Sequence, residues 1–557
     1  MKKHLFIIVL IVFLCLDLVY SQQIPMPTKA QYQWHEQERI MFLHFAPTTW
    51  SEVEQNDHTV SLERVNPQML NTDQWCEAAL AFGAKEIIFV AKHSGGFCWW
   101  QTTTTEYGVR NTPYKNGKGD VLKELSVSCK KYGLNLGVYV YPGDRTWGAM
   151  IGSGGKTKDP TKQEAYNKVF RKQLTEVLSN YGPITEVWFD GSCIIDVSDI
   201  LETYAKDAVV FQGPQASLRW PGTESGKLYY PAWNTVMRED LQTGVATQLH
   251  GNPNGDTWAP LETNTTLYDH YWFWSPKKVK TRKSLQELMD CYYQSVGYGS
   301  VFLLNASPDT TGLIPEGDMA RYRELGHEIS SRFERPIAKL EAVRGHEIVL
   351  DLKGMKRVNH IVTMEAYQYG ERIREYIVEG LTPNGWKNLC EGISVGRKKI
   401  DYFEPIEISK IRWRITKSVG EPIIRSVSAY MIQDFVAPVK KSMNVYSRPK
   451  VVADWREDDI HNKTGRLSIN LKDKINVPGQ YMLTLVPDSK KSVNLIGAEM
   501  YYDGEKAIEQ LIRMKGDEVY INQTAQITDN RDIVIQLKFK MNKPSGGLVS
   551  FKPILIH

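Results

Sequence analysis

Cysteine is scarce in this chain: 557 residues carry seven, with no C-x-x-C pair and no metal-ligand spacing. Cys15 sits in the N-terminal apolar run, and Cys76, Cys98, Cys129, Cys193, Cys291 and Cys390 are scattered. Neither a disulfide framework nor a zinc module is expected, and the thiols read as small buried hydrophobes. An excess of one charge is also missing. Lys and Arg number 68 against 64 Asp and Glu, a net of +4, too little over this length to point to nucleic acid or a membrane surface. The apolar run at residues 5–16 is too short to span a bilayer and is interrupted by Asp17, so no membrane span is expected. Internal repeats and low-complexity tracts are absent. Aromatics reach 11%, which excludes disorder over most of the chain.

What is present begins with an address. Lys2 and Lys3 precede the apolar run, and Val19-Tyr20-Ser21 offers small residues for cleavage, the pattern of a secretory signal over residues 1–21. A mature chain starting near Gln22 and working in the periplasm or outside the cell is expected. Cys15 follows Leu14, where lipid processing wants a small residue, so lipid attachment is not expected.

At one domain per ~150 residues, a chain this long predicts about three to four domains. Near-continuous apolar runs at residues 40–46, 86–91, 134–141, 186–189, 208–212 and 300–304 read as parallel strands buried on both faces. Weaker runs at 227–233 and 268–274 would make eight. Helical stripes lie between them. Asp120 caps Leu122, Leu125 and Cys129, closed by Gly133; Tyr166, Phe170, Leu174, Val177 and Tyr181 share a face; Ser284 and Glu287 form a capping box. This order predicts an α/β fold, a (β/α)8 TIM-like barrel over residues 22–335. No G-x-G-x-x-G follows the first strand, which argues against a doubly wound sheet. Beyond 336 helical periodicity gives way to short alternating runs at 347–352, 360–364, 373–379 and 410–415, the signature of a β-sandwich over 336–435. A Val-Ala-Pro-Val linker precedes a further all-β domain over 440–557.

Barrel function gathers at the C-terminal ends of strands. Those ends carry His44, His93, Tyr141, Asp144 and Asp190, followed by a loop with Trp220 and Glu224 and later by Glu262 and Trp274. Asp190 follows Val-Trp-Phe and precedes Gly191. It projects from a buried strand, either as a functional carboxylate or as a structural one bonding loop amides. Glu224, in a Gly-rich loop, would by default be a solvated surface residue. An Asp and a Glu over one aromatic-flanked cavity are what glycoside hydrolysis requires, ~5–5.5 Å apart in the retaining form. His44, His93 and Asp144 invite a metal reading, but a His-x-His pair is missing, and neutral imidazoles bonding sugar hydroxyls are expected instead. Trp99, Trp100, Trp220, Trp272 and Trp274 read by default as core, and the polar neighbours of Trp220 and Trp274 make those two the better candidates for a binding platform.

The segments Met-Phe-Leu-His44-Phe, Ala-Lys-His93, Asn-Gly-Lys-Gly-Asp120, Glu-Val-Trp-Phe-Asp190-Gly, Arg219-Trp-Pro-Gly-Thr-Glu224 and Phe-Leu-Leu-Asn305 occur in order. Together they resemble glycoside hydrolase family 29, the α-L-fucosidases, over about residues 30–330. The loop ending in Glu224 is similar to the subgroup acting on α-1,3/1,4-fucose branches. The 340–434 segment, with Tyr369-Gly-Glu-Arg372-Ile-Arg374, resembles a discoidin-like sandwich. The resemblance implies a retaining exo-glycosidase acting on a fucosylated glycan, with Asp190 as nucleophile and Glu224 as acid/base. It also implies that His44 and His93 contact sugar hydroxyls and that Glu54, Glu262 and Trp274 line the pocket. No cofactor or metal is implied. Three positions depart from the family pattern: Ser94 and Gly95 after His93, Gln55 after Glu54, and Gly143 between Pro142 and Asp144. They leave the same mechanism on another L-sugar as an alternative, and a silent carbohydrate-binding protein as a second.

Overall fold

The computed structural model describes residues 24–54, 56–241 and 251–438, and strands between 450 and 555. The expected signal segment, Gln55 and the last residue of the Val-Ala-Pro-Val stretch lie outside the described residues.

Seven parallel strands form the first sheet: β1 (Arg39–Leu43), β2 (Glu86–Lys92), β3 (Asn135–Val140), β4 (Ile184–Trp188), β5 (Val209–Phe211), β8 (Glu262–Thr265) and β9 (Val301–Ala306), in the order β5-β4-β3-β2-β1-β9-β8. A two-residue antiparallel pair, β6 (Thr235–Val236) with β7 (Thr257–Trp258), lies outside it. The segment between β5 and β8 completes the ring. Ser217 donates its amide to Val210 O at 2.9 Å, while Arg219 pairs with Leu261, its amide 2.9 Å from Pro260 O and its carbonyl 2.9 Å from Glu262 N. The result is a (β/α)8-type barrel. Its helices run over Thr72–Phe82, Val121–Tyr132, Gln163–Asn180, Ser198–Tyr204, Leu285–Gln294 and Glu316–Phe333.

The caps explain where these helices begin and end. Asp120 accepts from Lys123 N at 2.9 Å, and Gly133 closes that helix at φ 69°, a conformation that favours glycine. Ser284 and Glu287 make the expected box. Apolar side chains divide between the helix–strand layer and the barrel interior, where Trp34, Phe42, Val90, Tyr139, Trp188 and Phe211 pack.

Two expected strands fail. Residues 227–233 and 268–274 contain no strand; the seventh hydrogen-bonded strand is Glu262–Thr265. Its Glu-Thr-Asn-Thr sequence lacks an apolar run, and three of its four side chains find polar partners inside the protein: Thr263 with Ser300 at 2.8 Å, Glu262 with Trp188, and Asn264 with Trp220.

The following domain is one six-stranded antiparallel sheet, ordered β10-β15-β11-β14-β12-β13. Its strands are β10 (Ala338–Arg344), β11 (Glu347–Glu365), β12 (Ile373–Thr382), β13 (Gly385–Gly392), β14 (Lys399–Ser418) and β15 (Ile423–Tyr430). The runs at 347–352 and 360–364 belong to the single strand β11, whose pairing with β14 shifts register between Asp351 and Lys356 and again between Val358 and His360. Its core holds Ile348, Val358, Tyr376, Trp413 and Ile424. Strands between Lys450 and Leu555 form two further antiparallel sheets. Among the described residues, no helix is long and apolar enough to cross a membrane.

Candidate active site

At the C-terminal ends of the barrel strands, one pocket is lined by Phe42, His44, His93, Tyr139, Trp188, Asp190, Gln212, Trp220, Glu224, Asn264 and Trp272. It encloses about 420 Å³ counting its open mouth.

Asp190 follows β4 by two residues and so faces the same side as Trp188. Burial pushes its carboxyl upward, while the Tyr139 hydroxyl, donating at 2.9 Å, and the Gly191 amide pull it back down. Tyr139 itself is held well above its ordinary range by burial and then by Asp190's charge, so it stays a donor. Gly191 sits at φ 71°, and a Cβ there would lie 2.8 Å from Gly152 Cα, so the turn behind Asp190 accepts only glycine without a shift.

Glu224 reaches the pocket from the segment that leaves Arg219. The next residues are fixed to β8, with Gly226 N donating to Asn264 O at 2.9 Å. Burial raises the Glu224 carboxyl, the Trp272 indole N–H at 3.1 Å opposes that, and the charges of Glu54 and Asp190 raise it further. Glu54 accepts from Trp272 N at 3.1 Å, so one tryptophan ties the two carboxylates together.

The two histidines are neutral. Burial, then the neighbouring His93, hold His44 well below its usual range, and burial lowers His93 to about 4. Asn305 donates its amide to Trp272 O at 2.7 Å, which orients its carbonyl oxygen toward His44 Nδ1, 2.7 Å away. Nδ1 therefore carries the proton, and Nε2 is left as an acceptor. His93 stacks on Tyr139 with centroids 5.7 Å apart and 11° between planes.

Of the residues expected from sequence, the structure brings His44, His93, Asp190, Trp220 and Glu224 onto one lining. Glu54 lies behind Trp272, and Tyr141 lies behind His93, its hydroxyl accepting from Gly152 N at 2.9 Å. Asp144 is not on the lining: it is fully buried in an ion pair with Lys92 at 2.8 Å. Glu262 lies deeper in the barrel, accepting from the Trp188 indole at 3.0 Å. Trp272, rather than Trp274, faces the pocket. Sequence reasoning missed Phe42, Tyr139, Trp188, Gln212 and Asn264. Phe42 and Trp188 sit two positions before His44 and Asp190, and Tyr139 two before Tyr141, so strand alternation was the available signal. Among the described residues, no group of three or more His, Cys, Asp or Glu is placed to hold a metal.

The sequence matches the family model described as alpha-L-fucosidase over residues 19–331. Alpha-L-fucosidase 1 of Arabidopsis thaliana is 28% identical over 457 residues, covering 73% of this chain and 88% of the plant protein. A Bacteroides thetaiotaomicron protein solved as a candidate alpha-L-fucosidase is 32% identical, with a TM-score of 0.69, covering 74% of this chain and all of that one. A Ruminococcus gnavus glycoside hydrolase family 29 fucosidase, solved with fucose bound, is 25% identical with a TM-score of 0.66, covering 76% and 96% of the two chains.

Proposed function

The chain belongs to the alpha-L-fucosidase family, glycoside hydrolase family 29, and hydrolyses fucosyl linkages; from that premise we propose an exported, retaining exo-enzyme acting on α-1,3/1,4-fucosylated branches. Asp190 attacks the anomeric carbon while Glu224 gives its proton to the departing glycosidic oxygen. Glu224 then takes a proton from water, whose oxygen displaces Asp190 from the sugar. The cycle needs only the two carboxylates and water.

One observation carries this reading: Asp190 and Glu224 line the same pocket in contrasting surroundings. Burial raises both carboxyls; at Asp190 two donors oppose it, whereas at Glu224 one indole N–H opposes it and the charges of Glu54 and Asp190 add to it. Neutral His44 and His93, with Trp220 and Trp272, supply the hydroxyl partners and ring faces a pyranose needs. Branch preference rests on the Arg219–Glu224 loop sequence, and export on Lys2, Lys3 and the apolar run.

Release of free L-fucose from oligosaccharides carrying α-1,2, α-1,3, α-1,4 or α-1,6 fucose tests the proposal. The α-1,3 and α-1,4 branches should be cleaved, and Asp190→Asn should lower the rate by on the order of 10³-fold or more. A folded parent that leaves those branches intact would overturn the branch assignment, and release from α-1,2 or α-1,6 fucose instead would give the linkage it acts on.

A further inference from the structure

The Glu224 loop is anchored from outside the barrel. Arg219, which completes the strand ring and launches the loop, has its guanidinium buried, 2% exposed. Its Nε donates to Ala259 O at 2.9 Å and its Nη2 to Trp233 O. A buried guanidinium needs a counter-charge as well as carbonyls: burial lowers Arg219 to about 9, and Glu371, on the turn before β12, is the carboxylate whose charge opposes that. Glu371 is 1% exposed and grips the same stretch of barrel: Asn234 N donates to it at 3.0 Å and Asn234 Nδ2 at 2.6 Å. Asn234 O in turn accepts from Ala259 N at 2.7 Å, next to the carbonyl that holds Arg219.

Neighbouring contacts lock the domain in place. Arg374 lies over the Trp233 ring, 4.8 Å from its centroid, and donates to Pro253 O at 2.6 Å. The Tyr230 hydroxyl accepts from Ile393 N at 2.7 Å and Ser394 N at 2.8 Å. Gly396 makes room for the grip, since a Cβ there would stand 2.9 Å from Glu371 Oε1.

We propose that Glu371 of the antiparallel domain is a positioning residue for the acid/base: by holding Asn234 and countering Arg219, it fixes the segment that presents Glu224 to the leaving oxygen. This rests on the role proposed above for Glu224. The second domain then completes the active site without touching substrate.

The test uses two fucosides, one with an activated aryl leaving group that needs no proton and one with a sugar leaving group that does. In kcat/KM, Glu224→Gln should lose far more on the sugar fucoside, by ~10²–10⁴-fold. Glu371→Gln and Glu371→Ala should show the same asymmetry in kcat/KM, which reports the first step alone, losing ~10–100-fold on the sugar fucoside while kcat/KM for the aryl fucoside changes by less than about threefold. Glu371→Gln keeps an acceptor for Asn234 and should be the milder; it carries the test if the alanine variant does not fold. Equal losses on both substrates, or none, in a folded Glu371→Gln would overturn the positioning role. Should Glu224→Gln itself lack the asymmetry, the acid/base assignment falls first and this proposal with it.

Discussion

At the residue scale, the site separates two carboxylates by their donors. Asp190 has Tyr139 and the Gly191 amide, whereas Glu224 has one indole N–H and two anionic neighbours. The charge of Glu54 raises Glu224's proton affinity, so Glu54→Gln should let Glu224 lose its proton at lower pH. The alkaline limb of the kcat/KM profile should therefore move downward, while the acidic limb, set by Asp190, stays. A pH–rate profile checks this, and an alkaline limb that stays fixed or moves up would contradict it. The strand-end rule located Asp190, His44 and His93 from sequence because each follows an unmistakable apolar strand. It left out Phe42, Tyr139 and Trp188 because large aromatics inside a strand look like core, and these are both core and pocket wall. Asp144 satisfied the same rule, yet its carboxylate turns to Lys92, a partner 52 residues earlier whose direction sequence alone does not give.

At the element scale, helix ends were the most legible feature because capping is local chemistry. Asp120 goes further than its motif: besides Lys123 N, its carboxylate accepts from Tyr181 OH at 3.0 Å and Gln101 N at 3.2 Å. Asp120→Ala should cost ~1–2 kcal/mol by denaturant unfolding and leave kcat unchanged. A loss below about 0.3 kcal/mol would show that the cap is replaceable by water. Strands were legible where they are apolar on both faces. Glu262–Thr265 was not, because Glu262, Thr263 and Asn264 are satisfied by tryptophan and hydroxyl partners from distant segments. In the antiparallel domain the alternation of exposed and buried residues from Glu347 to Leu352 was readable. The continuity of β11 through its register shifts was not, since those shifts depend on β14.

At the scale of the whole molecule, the barrel interior carries Glu86, Glu186 and Glu262, all fully buried. Burial raises Glu86 to about 8, with Glu186's charge adding to it, raises Glu186 well above its usual range, and raises Glu262 to about 7. The folded chain thus binds these protons more tightly than the unfolded chain. Their contribution is full below about pH 4.5 and is lost as pH climbs through about 7 to 8. Glu38 acts oppositely. Burial raises it, but Lys398 and Arg397 overcome that and hold it well below its usual range, so its contribution is lost in acid. The melting temperature should peak at mildly acidic pH and fall toward pH 9, less steeply in Glu186→Gln. A calorimetric series checks this, and stability that rises from pH 6 to 9 would contradict it. The central claim is that Asp190 forms a covalent bond to the sugar. A 2-deoxy-2-fluoro-fucosyl fluoride should inactivate the enzyme and leave the fluorosugar on the peptide containing Asp190, located by mass spectrometry. An active enzyme that is labelled on another residue would contradict the account.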